Sequence, residues 1–264
     1  MGALDHIKVI DFGHYIAGPL AGMLLADQGA DVIKVDPPGG PRWDSPANAT
    51  WNRGKRSITL DLKIPADLQT AKSLMATADV VVENFRPGVM EKLGLGNKQA
   101  LIDNPRLIYC SIPGFANDDD RSGIQAYEGI LGASAGTYRP MASSGGKPVY
   151  TAVPIASTYG AFQSVVAITM ALNARERDGV GQYIEMPLFD SMFQSIGHHG
   201  LRVHNAPPTS PTLGDLWGGI YRCKDGEWVR FGGPGNQNFR PFVELAGITS
   251  WDSEGLTDFS VPLD

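Results

Sequence analysis

The chain has 264 residues, 42% of them hydrophobic and 19% charged, and a formal net charge of -6. A chain of this length can bury a sizeable core, and we expect one large domain or one and a half. Lysines and arginines are scattered along the sequence. Nucleic acids are bound by basic stripes, so this composition argues against a nucleic-acid partner, although a local basic site could still hold a small polyanion.

Cysteine usage and hydropathy indicate a cytoplasmic protein. Cys110 and Cys223 lie far apart in a chain without a recognisable signal peptide, so we expect reduced thiols with packing roles. The longest apolar stretch, around residues 165–174, is interrupted well before the ~18 residues that a membrane span needs, and we expect no membrane partner. The chain stops at Asp264 without a helix or strand to dock its end, and we expect further residues beyond it.

Short β-branched runs alternate with helical segments along the first two-thirds of the chain. Strand followed by helix and strand within about thirty residues indicates parallel strands joined by crossovers. The sequence therefore predicts an α/β fold with a Rossmann-like parallel sheet and helices on both faces. Strands are predicted at residues 7–11, 31–35, 57–62, 80–82, 107–112 and 181–186, and helices at 20–27, 66–78, 157–177 and 187–197.

The amino-acid composition changes past Asn205, where proline, glycine and tryptophan surround short predicted strands such as residues 226–231. We therefore predict an α/β domain over residues 1–204 and the incomplete start of a small α+β domain over residues 205–264.

The turn after the first strand superficially suggests dinucleotide binding. A dinucleotide fingerprint needs three glycines at fixed offsets so that backbone amides approach a pyrophosphate. Here only Gly13 and Gly18 are present, with Asp36 after the second strand as a ribose acceptor. Nicotinamide binding remains a minor alternative that rests on topology alone.

Five phrases in a fixed order resemble those of the class III coenzyme A transferases, the CaiB/BaiF family. LLADQGADVIKVDPPGG is similar to the family's LLADLGADVIKVEPPGG, and VENFRPG and NPRLIYCSI match family phrases letter for letter. The resemblance covers residues 1 to about 195, and the remainder matches only loosely. The phrases occupy residues 24–40, 52–63, 82–88, 104–112 and 175–182.

The resemblance implies a site for an acyl-CoA thioester, a carboxylic acid as acceptor, no further cofactor, and an interlocked homodimer. Coenzyme A carries several phosphates, so its site requires fixed cations. The adenine and the pantetheine arm require apolar walls. The alternatives without a binding role are a solvated turn at residues 55–56 and a core position for Phe85. By resemblance, the CoA-binding residues are Lys55 and Arg56 at the nucleotide end, Asn84, Phe85 and Arg86 at the mouth of the pocket, and His14, Tyr15, Ile16 and Ala17 along the pantetheine.

The resemblance breaks where the family places its covalent chemistry. An aspartate just before the long helix attacks the thioester in the family, and we place Ala156 at that position. A glutamine common in transferring members corresponds to Ile16, and the glycine-rich flap is not recognisable at residues 213–219. An alanine methyl can neither attack a carbonyl nor accept a proton.

Three explanations stay open for the missing aspartate. Glu128 could serve as the carboxylate, beside Tyr127, which matches an active-site tyrosine of the family. Alternatively the chain is a disarmed homologue that only binds CoA esters, or it runs another acyl-CoA reaction such as racemisation, dehydration or lyase chemistry. In that case Ser157 and Thr158 could donate hydrogen bonds, although we expect Ser157 to be a helix N-cap.

A histidine group, His198, His199 and His204, invites a metal interpretation. Adjacent histidines on a helix point to different faces, and no other ligand lies at a suitable spacing, so we predict no metal site.

Overall fold

The computed structural model describes residues 2–43, 45–138, 147–196, 220–230, 239–248 and 250. The chain divides into two compact units, one made of Met1–Tyr138 with Tyr150–Gly200 and the other of Arg139–Val149 with Leu201–Asp264. The boundary predicted at residues 204 and 205 lies four residues past the break between residues 200 and 201. Residues 198, 199, 204 and 213–219, which the sequence analysis discussed, lie outside the described part.

The first unit contains a sheet of six parallel strands in the order β3-β2-β1-β4-β5-β6. This order confirms the predicted Rossmann-like parallel sheet. The chain steps outward from β1 to β3 and then returns to place β4 beside β1, which puts the switch point of the sheet between β1 and β4. The strands are β1 (Lys8–Asp11), β2 (Asp31–Asp36), β3 (Arg56–Thr59), β4 (Val80–Glu83), β5 (Ile108–Ser111) and β6 (Gln182–Glu185).

Apolar side chains cover both faces of the central strands. Val80 and Val82 belong to one hydrophobic cluster, while Val81 between them belongs to the other. A strand buried on both faces needs an unbroken apolar run, which explains why residues 80–82 were recognisable in the sequence. The Cys110 side chain also lies in the core, where burial raises the pKa of its thiol to about 12.

Helices pack on both faces of the sheet, as predicted. The first cluster receives side chains from α1, α6, α7 and α8, and the second from α3, α4 and α5. Helix α2 lies next to α1, and its partly buried Trp51 packs against the first cluster. The helices of this unit are α1 (Ala17–Asp27), α2 (Pro46–Trp51), α3 (Pro65–Ala76), α4 (Val89–Lys92), α5 (Asn97–Asp103), α6 (Glu128–Ser134), α7 (Ile155–Asp178) and α8 (Leu188–Ile196).

The longest helix, α7, packs against α1 and α8. Gly179 ends it in the left-handed conformation at φ 77°, which confirms the predicted stop. By length and composition α7 could cross a membrane, because an 18-residue window has a mean hydropathy of 1.4. This corrects the expectation that no segment is long and apolar enough. In the described structure, 44% of that window is buried inside the protein.

The described part of the second unit contains an antiparallel pair, β7 (Ile220–Arg222) and β8 (Trp228–Arg230), and helix α9 (Phe239–Leu245). Strand β8 falls within the strand predicted at residues 226–231. Gly226, at φ 93°, lies in the turn that connects the two strands.

Candidate functional site

A cavity of about 680 Å³ opens at the carboxyl ends of the strands in the first unit. Its walls come from the loops that follow β1, β2, β3 and β4, and its far end comes from residues 125–129 with Ser157 and Leu188. Ligands of open α/β sheets bind at this edge, next to the switch point between β1 and β4. The loops after β1 and β4 therefore occupy the position where a ligand is expected.

The loop after β1 is closely packed against the loop after β4. The His14 N–H donates to Asn84 Oδ1 at 2.7 Å, and Asn84 Nδ2 donates to the His14 carbonyl at 2.9 Å. A Cβ on Gly13 would lie 2.6 Å from the Cα of Gly18, so the loop closes only with glycine there. Tyr15 is held at φ 62°, a left-handed conformation that costs a non-glycine residue free energy.

His14 and Phe85 form an aromatic wall of the cavity. Their rings meet edge to face, with centroids 5.0 Å apart. Burial lowers the pKa of His14 to about 4, and the nearby charges of Lys34 and Arg42 act in the same direction. The imidazole is therefore neutral at pH 7 and does not supply a cation for a phosphate group.

A buried acid, Glu83, supports this wall from behind. It ends strand β4, and its Oε2 accepts the Phe85 N–H at 2.8 Å. Burial raises the pKa of Glu83 to about 7, although hydrogen bonds from Ser111 and from the Phe85 backbone oppose the shift. The carboxyl group thus changes its protonation state near neutral pH, directly beside the cavity wall.

Two predicted phosphate-binding cations, Lys55 and Arg56, do not line the cavity. The Lys55 ammonium lies 2.8 Å from Asp11 Oδ2, and both side chains are buried, at 1% and 0% exposure. Arg56 instead forms a bidentate pair with Asp31 on the surface. Lys55 and Arg56 thus form ion pairs with aspartates outside the cavity lining. This placement corrects the expected nucleotide contact.

The buried pair is the centre of a small polar network. Lys55 Nζ also donates to the Pro19 carbonyl at 2.7 Å and to Asn52 Oδ1 at 3.0 Å. Asp11 Oδ1 accepts the Gly13 N–H at 2.7 Å. Burial alone would raise the pKa of Asp11, but Lys55 and Lys34 outweigh that effect and hold the pKa below its usual value.

The cationic side chains that line the cavity are not those of residues 55 and 56. Arg42, Lys63 and Arg86 line the cavity, and no ion pair engages them within the described residues. Of these, only Arg86 was predicted. Arg42 lies in an irregular loop and Lys63 follows a strand, so their convergence depends on the sheet order and could not be seen in the sequence.

The far end of the cavity brings Glu128 to the start of α7. Glu128 Oε1 accepts the Ala156 N–H at 2.6 Å, and Oε2 accepts both the Ser157 N–H at 3.2 Å and the Ser157 hydroxyl at 2.8 Å. The first amides of a helix lack partners inside the helix, and its N-terminus favours an anion. A carboxylate from α6 therefore satisfies the amino end of α7.

Ser157 rather than Ala156 faces the cavity. Ala156 is fully buried in the hydrophobic core, at 0% exposure, and is absent from the cavity lining, which includes Ser157. The predicted N-cap role of Ser157 is wrong, because Pro154 occupies the cap position and the serine hydroxyl donates to Glu128. The position predicted for the family nucleophile is therefore in the core, one residue before the position that faces the cavity.

The remaining predicted residues line the cavity. Tyr127 meets Tyr15 edge to face, with ring centroids 6.1 Å apart, and Ile16 and Ala17 belong to the wall at the start of α1. Within the described ranges, no group of three or more histidine, cysteine, aspartate or glutamate side chains is arranged to hold a metal ion.

A sequence model of CoA-transferase family III matches residues 4–258. The chain belongs to this family. It is 39% identical over 230 residues to a succinyl-CoA:mesaconate CoA-transferase of Haloarcula hispanica, an alignment that covers 80% of this chain and 58% of that protein. This family III chain thus spans well under two-thirds of that relative's length.

Solved structures agree with this assignment. A CaiB/BaiF family protein from Brucella suis has a TM-score of 0.76 at 32% identity, over 94% of this chain and 70% of that one. The protein Rv3272 from Mycobacterium tuberculosis has a TM-score of 0.70 at 36% identity, over 74% and 56% of the two chains. The family III chain therefore shares its described fold with CaiB/BaiF proteins.

Replacing Lys55 should destabilise the protein far more than replacing its neighbour. Lys55→Met leaves the Asp11 carboxylate buried without its ammonium partner, and we expect a loss of about 3–5 kcal/mol in the free energy of unfolding. Arg56→Met removes an exposed pair and should cost about 1 kcal/mol or less. Urea unfolding of both variants checks this. Equal losses would contradict the structural role of the buried pair.

Glu83 should make the stability depend on pH. Between pH 4.5 and about 7 the folded protein keeps a proton that the unfolded chain has lost, so stability falls as the pH rises through this window and levels off above it. Glu83→Gln removes this titration. Its stability relative to the parent should rise by on the order of 3 kcal/mol between pH 4 and pH 8.

Denaturant unfolding at several pH values measures this difference. Glu176→Gln, which changes a carboxylate that is 69% exposed, is the control and should show little pH-dependent difference. A parallel pH profile for the Glu83→Gln protein and the parent would show that the buried acid is not the cause.

Proposed function

We propose that the chain binds an acyl-CoA in the cavity and takes part in moving coenzyme A between that thioester and a carboxylic acid. The observation that carries this proposal is the arrangement of the cavity: cations line it near the ends of β2 to β4, and a carboxylate and a hydroxyl lie at its far end. The relative from Haloarcula, a succinyl-CoA:mesaconate CoA-transferase, supports the pairing of a CoA thioester with a carboxylic acid.

The lining matches the chemistry of coenzyme A. Arg42, Lys63 and Arg86 supply positive charge for phosphate groups, to which arginine can donate paired hydrogen bonds. Phe85 and Leu62 supply apolar surface for the adenine or the pantetheine arm. The volume of about 680 Å³ lies in the range of small-molecule sites.

Glu128 is the carboxylate that could carry the covalent steps. Attack of its oxygen on the thioester carbonyl would form a mixed anhydride and release the CoA thiolate. The thiolate would then attack the glutamyl carbonyl, which frees the first carboxylate and leaves a glutamyl-CoA thioester for the acceptor acid. Glu128 lines the cavity, and its position at the start of α7 supports this role.

A CoA-ester-binding homologue without turnover is the second candidate. Three donors already engage the oxygens of Glu128, which lowers the availability of its lone pairs for attack. Neither Ala156 nor Ser157 supplies the carboxylate that the family uses at the start of this helix. A cytoplasmic location is part of both candidates, since acyl-CoA substrates and reduced thiols are expected there.

We expect CoA exchange to depend on Glu128. The protein is incubated with an acyl-CoA and a panel of isotope-labelled carboxylic acids, and label in the acyl-CoA is measured. Glu128→Gln should reduce exchange about 100-fold or more, because an amide is neither a nucleophile nor a base. Glu176→Gln is the matched surface control. Tight binding of the acyl-CoA without any exchange would support the binding-only candidate.

Two further variants separate the positions at the start of α7. Ala156→Asp places a carboxylate in the core and should lower stability, because a buried unpaired charge is costly. Ser157→Asp places the carboxylate in the cavity lining. We therefore expect the rate of CoA exchange to rise in Ser157→Asp and not in Ala156→Asp.

We also propose a homodimer, and an exposed apolar stripe on α7 supports it. Tyr159, Phe162, Val166 and Met170 follow each other at helical spacing on one face of the helix, and about half or more of each side chain is exposed. Phe162→Glu should shift the mass measured by light scattering from dimer to monomer. Ile102→Glu, on the exposed side of α5, is the control, and a monomeric parent protein would refute the proposal.

A further inference from the structure

The residue at the start of α7 that faces the cavity carries a hydroxyl group. Ser157 contributes to the cavity lining, whereas Ala156 before it points into the core. Thr158 after it is half-buried and does not line the cavity. One hydroxyl of this segment is therefore placed where a thioester bound in the cavity can reach it.

This hydroxyl already has a hydrogen-bond acceptor suited to take its proton. Ser157 Oγ donates to Glu128 Oε2 at 2.8 Å, a distance within the range for general-base catalysis. The Ala156 N–H holds the other carboxylate oxygen at 2.6 Å, so the carboxylate is fixed in place. Because the serine proton points at Glu128, lone pairs of Oγ remain available for attack in another direction.

We propose that Ser157 is a catalytic nucleophile and that the chain hydrolyses acyl-CoA through an acyl-serine ester. Ser157 Oγ attacks the thioester carbonyl carbon and its proton passes to Glu128. The carbon–sulfur bond breaks, and the leaving CoA sulfur takes that proton. Water then attacks the ester carbonyl, Glu128 accepts the proton from water and returns it to Oγ, and the free acid leaves. This inference rests on the proposed function only in that a CoA thioester occupies the cavity.

Water completes this cycle in preference to a carboxylic acid. A carboxylate that attacked the acyl-serine would have to form an anhydride from an ester, and an anhydride is much the more reactive of the two. Attack by water gives a stable acid. A serine pathway therefore ends in hydrolysis, whereas the Glu128 anhydride pathway ends in transfer of CoA to an acceptor.

The test follows CoA release from an acyl-CoA in the absence of any acceptor acid. Ser157→Ala should lower the rate about 100-fold or more, since the nucleophile is lost. Thr158→Ala removes the neighbouring hydroxyl outside the cavity lining and should leave the rate within about twofold. Glu128→Gln should also lose about 100-fold.

Trapping identifies the acylated residue. Acid quench during turnover, followed by proteolysis and mass spectrometry, should place the acyl group on the peptide that contains Ser157, and hydroxylamine should remove it. An acyl group on Glu128, or CoA release that is unchanged in Ser157→Ala, would overturn the proposal.

Calorimetric titration with coenzyme A separates this inference from the proposed function. Failure to bind coenzyme A would defeat both. Binding and exchange with carboxylic acids, without acylation of Ser157, would defeat the hydrolytic route and leave the transferase proposal standing.

Discussion

The buried carboxylate of Asp11 is the contact on which the cavity depends. It ends the central strand β1, and its two oxygens hold the Gly13 N–H and the Lys55 ammonium. Lys55 in turn holds the Pro19 carbonyl at the first turn of α1. One charged pair thus joins β1, the loop after it and α1, and a charge buried this deeply is tolerated only because every oxygen has a partner.

A second carboxylate organises the opposite end of the cavity. Glu128 from α6 accepts two amides and a hydroxyl from the start of α7, and this fixes the relation between the two helices. The same contacts that stabilise α7 place a carboxylate and the Ser157 hydroxyl at the cavity surface. Structural and chemical roles coincide here, so Glu128→Gln should be checked for folding as well as for activity.

The fold of the first unit was largely predictable because its central strands are apolar on both faces. Runs such as residues 80–82 are recognisable without any tertiary information. The predicted strands agree with the observed ones within one residue at each end, except the strand predicted at 57–62, which ends at Thr59. The short helices α2, α4, α5 and α6 were missed. Helices of one or two turns have little intrinsic stability and form because the surrounding structure holds them, so the sequence carries only a weak signal.

The sequence by itself determined the family, the parallel sheet and most of the cavity wall, including His14, Asn84 and Phe85, because these follow from local runs and phrases. Only the tertiary structure decided which cations remain available. Lys55 finds Asp11 44 residues earlier in the chain, while Arg42 and Lys63 converge with Arg86 at one sheet edge. It also decided that Ser157 and not Ala156 faces the cavity. Successive helix positions differ by about 100° in direction, and packing against the sheet sets that rotation.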